Sequence, residues 1–362
     1  MSSEIMSLEM DVFCLLLLIR ILYQMYINRE QNDHWNYFYH TIAWACVYLF
    51  MDAIWIMNVK RFLTFSKIQS GIFNSFYFCS LAMLVCSWYV YAQKTLHSAV
   101  LKDKKILVLT FEAYQNWWER RHHFYMEKEW MMFVTGVVPA ISSVVRKVTT
   151  VGENVLIMSP VYNIFYNSIL NNGRHVLSSD LVFDGKEYHI DFEYLERKLA
   201  LSQTTLMIFC NPHNPIGKIW DKETLQKIGD LCAKHHVTVL SDEIHCDITN
   251  PQKEYIPFAS VSKTNLENTI MCIAPTKAFN MAGMQTACIV VANEVLRHKV
   301  NRGINTDEVA EPNSFAICAT KAAFNQSEDW LNELNQYIQN NKDYAISFIQ
   351  KEMNDVYIVP TE

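Results

Sequence analysis

The chain has 362 residues, 51% of them hydrophobic, and 31 Lys and Arg against 37 Asp and Glu give it a net charge of −6. A mixed, slightly acidic charge excludes the basic footprint of a nucleic-acid-binding protein, so no nucleic-acid partner is expected. The ten cysteines have no framework spacing and several fall in apolar runs, which points to reduced thiols rather than a disulfide-stapled secreted domain.

Composition changes sharply near residue 108: before it there is no Pro and only Gly71, whereas all nine Pro lie beyond it. Three apolar segments occupy this first region. Val12 to Ile27 is short and carries Arg20; Tyr37 to Val59 is rich in Trp and Tyr and interrupted by His40 and Asp52; Ile72 to Ala92 runs 21 residues without a charge. About 20 apolar residues cross a bilayer's hydrocarbon core, so an all-α membrane-spanning region of about three helices is expected over residues 1–108. Charged groups inside such segments find partners or a polar cavity, and Arg20 and Asp52 are expected to do so. Met1 to Met10 holds two Glu and no basic residue, so no cleavable signal peptide is expected. Lys60, Arg61 and Lys67 precede the last segment while Lys94, Lys102, Lys104 and Lys105 follow it, which splits the positive-inside signal.

Beyond residue 108 the pattern is that of an α/β domain. Thr205 to Cys210, Val237 to Leu240 and Thr269 to Ile273 are short, unbroken apolar runs, as expected for strands buried on both faces of a mostly parallel sheet. Between the first two, Asp221 to His236 places Leu225, Ile228, Leu231 and Cys232 on one stripe, which completes a βαβ unit. Asn214 follows the first strand in Cys210-Asn211-Pro212-His213-Asn214-Pro215-Ile216-Gly217, Asp242 follows the second in Ser241-Asp242-Glu243-Ile244-His245, and Lys277 follows the third in Ala274-Pro275-Thr276-Lys277. Open parallel sheets bind ligands outside the carboxyl ends of their strands, so the three side chains are expected to converge there. A pyridoxal-phosphate site needs an amine to hold the aldehyde covalently, a carboxylate to keep the pyridine nitrogen protonated, and a donor to the phenolic oxygen. Lys277, Asp242 and Asn214 match those needs. Singly, a Lys is a solvated charge, an Asp after a strand a helix cap, and Asn-Pro a turn; the combination carries the reading.

At these residues the chain resembles the fold-type-I aminotransferase superfamily and, within it, the MalY/PatB family of cystathionine β-lyase-like carbon–sulfur lyases. The resemblance extends to the helix Ala113 to His122, the loop Phe133 to Ala140, the stretch Ser159 to Tyr162, Glu311 to Ser314 and the helical stretch Trp330 to Glu352, covering about residues 110–362. It implies pyridoxal 5'-phosphate as cofactor and no metal, with Lys277 and Asp242 catalytic and Asn214 at the phenolic oxygen. It further implies that the backbone amides of Gly136, Val137 and Val138 take the phosphate, and a Gly turn before the helix Ile141 to Val148 suits an anion. By the same resemblance Tyr162 stacks on the ring, His245 lies near the phenolic oxygen, and Thr276 adds a hydroxyl at the phosphate, where Ala274 replaces a serine of some relatives. The implied reaction is β-elimination from cystathionine or a cysteine S-conjugate, giving thiol, pyruvate and ammonia, in a homodimer. Cytosolic cofactor and substrate then place this domain on the cytoplasmic side of a multi-pass membrane protein, with the lipid bilayer as a partner.

The family pattern is broken in two places. The N-terminal segment that lines the substrate pocket, with its Gly-Tyr loop, is replaced by the apolar region, and the chain stops at Val359-Pro360-Thr361-Glu362, near the start of the small domain's strand pair. The expected domains are therefore a membrane region over 1–108, a large domain over 109–300 and a truncated small domain over 301–362. No Arg is assignable as the clamp for the substrate carboxylate, so impaired turnover is expected. Two alternatives stay open: an aminotransferase of the same fold, and a non-catalytic cofactor-binding domain on a membrane sensor or recombined gene product.

Overall fold

The computed structural model describes residues 14–16, 18–19, 33–59, 65, 67–97, 104–313, 315–353 and 355–362. The chain divides into two compact units, Met1–Lys102 and Asp103–Glu362. In the first, helices α1 (Asp33–Val59) and α2 (Lys67–His97) pack together. Ile42, Ala53 and Ile56 of α1 are buried, and the Tyr48 and Tyr77 hydroxyls lie 3.0 Å apart.

This unit corrects the membrane expectation. Among the described residues one helix, over His40–Met57, is long and apolar enough to cross a membrane, and a soluble core helix passes the same test. Ile72–Trp88 is apolar but shorter than such a span needs to be. Within it Ser80 and Ser87 return their hydroxyls to the Tyr77 and Leu84 carbonyls at 2.7 and 2.9 Å. The segment Val12 to Ile27 lies mostly outside the described residues. The expected region of about three spans is thus not found among the described residues. The multi-pass membrane localisation, the cytoplasm-facing orientation derived from it and the bilayer as a partner are withdrawn.

The second unit is built on a seven-stranded sheet in the order β1-β9-β8-β7-β6-β2-β3. The strands are β1 (Met131–Val134), β2 (Asn154–Ile157), β3 (His175–Ser178), β6 (Thr204–Cys210), β7 (Thr238–Asp242), β8 (Thr269–Ile273) and β9 (Ala287–Val290), while β4 (Val182–Phe183) and β5 (Tyr188–His189) form a separate hairpin. β9 alone is reversed, antiparallel to both β1 and β8, and the remaining pairs are parallel, so the sheet is mostly parallel as expected. The unbroken apolar runs have their cause in the layers above and below. Leu206, Ile208 and Cys210 of β6 face a core shared with Ile141, Val144 and Val145 of helix α3 (Val137–Val148). Met207 and Phe209 face the opposite core with Leu225, Ile228 and Cys232 of helix α4 (Lys222–Lys234). Asp221 caps α4, its carboxylate accepting the Thr224 amide at 2.8 Å.

A third cluster holds Trp117 and Trp118 of the helix Lys104–His122 against Met271 and Ile273 of β8, with Phe324 behind them. The buried Asp247 carboxylate fixes that helix: Trp117 Nε1 donates to both oxygens at 3.2 Å, His122 Nε2 lies at 3.0 Å, and Arg121 Nε at 3.2 Å.

Candidate functional site

The parallel ladder sets the place of Asp242. Cys210 pairs with Asp242 across β6 and β7, and Asp242 pairs with Cys272 across β7 and β8, so the carboxylate sits at the C-terminal edge of the sheet's middle. Strand β7 extends to Asp242, beyond the apolar run read from sequence, because the Asn211 amide still donates to the Asp242 carbonyl at 3.0 Å and the Glu243 amide to the Cys272 carbonyl at 2.9 Å.

Asp242 is buried and its carboxylate accepts one hydrogen bond, from the Ile244 amide at 3.3 Å. Burial pushes its pKa up to about 7, opposed by that amide and by the charge of Lys277, which is therefore close enough to act on it. Lys277 is exposed and held in a tight turn in which the Asn280 amide donates to its carbonyl at 3.3 Å and the Met281 amide to that of Thr276 at 2.9 Å. Half-buried His245 completes the group, its pKa lowered first by burial and then by Lys277. A buried carboxylate with one long hydrogen bond gains most from a cationic N–H donor, and a protonated pyridine nitrogen is such a donor.

Asn214 lies on a hairpin whose ends close through His213 and Lys218. The Cys210 thiol, kept protonated by burial, donates to the Pro212 carbonyl at 3.3 Å and accepts the Asn214 amide at 3.4 Å. Sequence reasoning missed His213. Its Nε2 lies 3.0 Å from the Pro160 carbonyl, which can only accept, so Nε2 carries the proton. Its Nδ1 is buried without a partner, and burial lowers the ring's pKa to about 4. The signal available in the sequence was a histidine inside the turn Asn211 to Gly217. Glu243 was missed as well: Ser241 Oγ donates to it at 2.6 Å, its second oxygen is buried without a partner, and burial pushes its pKa up to about 8. Glu243 follows directly after β7, and the Phe258 amide also donates to its carboxylate at 3.3 Å.

The expected phosphate turn lies at the start of α3, which begins at Val137, four residues before the expected Ile141. Pro139 causes the difference, since proline is tolerated in a first helical turn where its missing N–H is not needed. No side chain caps this end, so the Val137 and Val138 amides are first-turn donors at the positive end of the helix dipole, directly after Gly136. Tyr162 is half-buried with its ring edge-on to Phe165 at 5.8 Å, and Thr276 is half-buried beside Lys277.

Elsewhere in this unit, His122, Cys246 and Asp247 bring potential metal-ligand atoms within 4.8 Å of one another. The Asp247 carboxylate is already saturated by Trp117, His122 and the Arg121 guanidinium, so a cation there would face a fixed positive charge.

The sequence profile of the aminotransferase class I and II family matches residues 101–361. Cystathionine β-lyase PatB of Bacillus subtilis is 39% identical over 247 residues, 68% of this chain and 64% of PatB. Protein MalY of Escherichia coli is 28% identical over 246 residues, 68% of this chain and 61% of MalY. Among solved structures, cystalysin from Treponema denticola, which contains pyridoxal 5'-phosphate, superposes with a TM-score of 0.67 at 30% identity, covering 68% of this chain and 62% of cystalysin. The pyridoxal-phosphate-bound C–S lyase from Staphylococcus hominis gives a TM-score of 0.64 at 31% identity, covering 68% and 63%. The chain spans less than two thirds of the length of each of these four proteins.

Proposed function

This chain belongs to the aminotransferase class I and II family, and we propose that within it the chain is a pyridoxal-phosphate-dependent carbon–sulfur β-lyase. The observation that carries the reading is the buried Asp242 carboxylate at the centre of the sheet edge, under the charge of Lys277 and with a single hydrogen bond of its own. The similarity to PatB, cystalysin and the S. hominis lyase supports the reaction class. Cysteine S-conjugates and cystathionine are the proposed substrates, and a homodimer the proposed assembly.

When bound, pyridoxal phosphate supplies the electron sink that acidifies the substrate's Cα–H. The protein's residues do the rest. Lys277 would hold the cofactor's aldehyde, and its free amine would be the base for the Cα proton. Asp242 keeps the pyridine nitrogen protonated, and the dry setting that raises its pKa also strengthens that pairing. The Asn214 carboxamide and His245 would hold the phenolic oxygen. Tyr162 would hold the pyridine ring, and the amides of Gly136, Val137 and Val138 with the Thr276 hydroxyl would hold the phosphate. Loss of the Cα proton with departure of a thiolate from Cβ, followed by hydrolysis, gives thiol, pyruvate and ammonia.

Purified chain loaded with pyridoxal phosphate is expected to absorb in the visible-violet region, and borohydride to fix the cofactor to the peptide holding Lys277. L-cystathionine should yield pyruvate in a coupled assay. If Lys277→Ala takes up reducible cofactor with the same spectrum, the lysine is wrongly assigned. If loaded wild-type protein converts an α-keto acid to an amino acid but releases no pyruvate, the lyase reading gives way to transamination.

A further inference from the structure

We propose that Glu362 is a positioning residue that sets the loop carrying Asn214, a role that rests on Asn214 facing the cofactor as proposed above. The Glu362 backbone amide and one carboxylate oxygen both bond this loop. Its backbone N–H donates to the Gly217 carbonyl at 2.8 Å, its Oε2 accepts the Ile219 amide at 2.9 Å, and its Oε1 pairs with Lys253 at 2.6 Å. Gly217 to Ile219 forms the returning arm of the hairpin, and the outgoing arm is bound to it: the His213 amide donates to the Lys218 carbonyl at 2.7 Å and the Gly217 amide to the His213 carbonyl at 2.8 Å. Asn214 is the next residue. A shift of the returning arm therefore reaches Asn214 through two backbone hydrogen bonds.

The brace is itself anchored. The Thr361 carbonyl accepts Asn250 Nδ2 at 2.8 Å and Lys342 Nζ at 3.3 Å. Gly217 allows the close approach: its φ is +64°, and a Cβ there would lie 2.8 Å from Thr361 Cβ and Cγ2. Half of the Lys253 side chain is exposed, so the ion pair is screened and the bond to the Ile219 amide is the component expected to hold the loop. A glutamine keeps that acceptor and an alanine does not.

Two measurements test the role. In cofactor-free protein, hydrogen exchange of the peptide spanning residues 213–219 is expected to quicken on the order of tenfold in Glu362→Ala and to stay at the wild-type rate in Glu362→Gln. In loaded protein, the pH at which the cofactor's visible band changes should rise by about half a unit to one unit in Glu362→Ala, because a donor to the phenolic oxygen favours its anionic form and that donor is displaced. In an Asn214→Ala background the same substitution should add no further shift. Unchanged exchange in Glu362→Ala overturns the brace. Quickened exchange with an unmoved band transition, or an equal shift without Asn214, overturns the positioning role. A wild-type preparation that takes up no cofactor overturns the cofactor reading and the positioning role with it, while the exchange rates still decide the brace.

Discussion

His213 donates from Nε2 to the Pro160 carbonyl at 3.0 Å, and this one bond joins the loop that carries Asn214 to the loop that carries Tyr162. The ring is wedged edge-on against Trp220 at 5.7 Å, with Trp220 Nε1 in turn donating to the Cys210 carbonyl at 3.3 Å. His213→Ala would leave the Pro160 carbonyl without its donor and open a gap beside Trp220. A loss of roughly 1–3 kcal/mol is expected in urea denaturation, together with weaker cofactor uptake, because both loops lose a shared tether. An unchanged midpoint with unchanged uptake would show that the loops are held independently.

Glu243 makes the cofactor-free protein sensitive to alkaline pH. Its folded pKa of about 8 lies above the ordinary 4.5, so the folded state keeps a proton that the unfolded chain has released. The stability this contributes is full below the ordinary value and is lost as pH rises toward 8. Asp242, pushed up to about 7, acts with the same sign. His213, lowered to about 4 from 6.5, acts with the opposite sign but only below pH 6.5. Between about pH 6.5 and 8 the carboxyls therefore dominate, and Glu243 alone should account for about 2 kcal/mol across that window. Thermal midpoints should fall as pH is raised through it, and Glu243→Gln, which keeps the acceptor for Ser241, should flatten the slope. A slope unaltered by Glu243→Gln would mean that the group ionises without cost.

The middle of the sheet, β6, β7 and β8, was legible because these strands are short, unbroken apolar runs flanked by polar loops, and that put Asn214 and Lys277 past strand ends, while Asp242, expected past one, is the last residue of β7; β1, β2, β3 and β9 were not read as strands. His213, Glu243 and Glu362 were not legible, since their roles depend on pairs such as Ile219 and Glu362, 143 residues apart, which no local periodicity encodes. The start of α3 was misplaced because Pro139 reads as a breaker until the first-turn position excuses it. The error over residues 72–92 was of another kind. A charge-free stretch was taken as a full span, although its apolar part, Ile72–Trp88, is too short for one, and Tyr77, Ser80 and Ser87 hydrogen-bond within the first unit.

Replacing Asp242 separates binding from chemistry. Asp242→Ala should still take up cofactor through Lys277, but with no carboxylate to keep the pyridine nitrogen protonated the electron sink weakens. Exchange of the substrate α-proton, followed by NMR in deuterated water, is expected to slow by roughly two to three orders of magnitude. Removing a buried carboxylate held by one long hydrogen bond, from the Ile244 amide, should cost the cofactor-free fold little. Undiminished α-proton exchange would refute the assigned role.

The last prediction concerns Asp247, which binds the helix Lys104–His122 to the loop after β7. Its carboxylate receives Trp117, His122 and Arg121, and Asn335 Nδ2 donates to its carbonyl at 2.9 Å, so removing the charge leaves the Arg121 guanidinium facing a buried pocket. Breaking one side of a buried ion pair costs about 3–5 kcal/mol. Arg121 has an escape, because its Nη1 lies 3.6 Å from Glu328 and its side chain is 18% exposed, so Asp247→Asn is expected near the lower end of that range. Arg121→Met combined with Asp247→Asn should recover part of the loss, since the asparagine can still accept from Trp117 Nε1 and no unpaired cation remains. Urea denaturation of the four proteins in this cycle measures the coupling. Arg121 Nη1 also donates to Asn332 Oδ1 at 3.1 Å, so if the two single losses simply add in the double variant, the guanidinium is held by Glu328 and Asn332 rather than by Asp247.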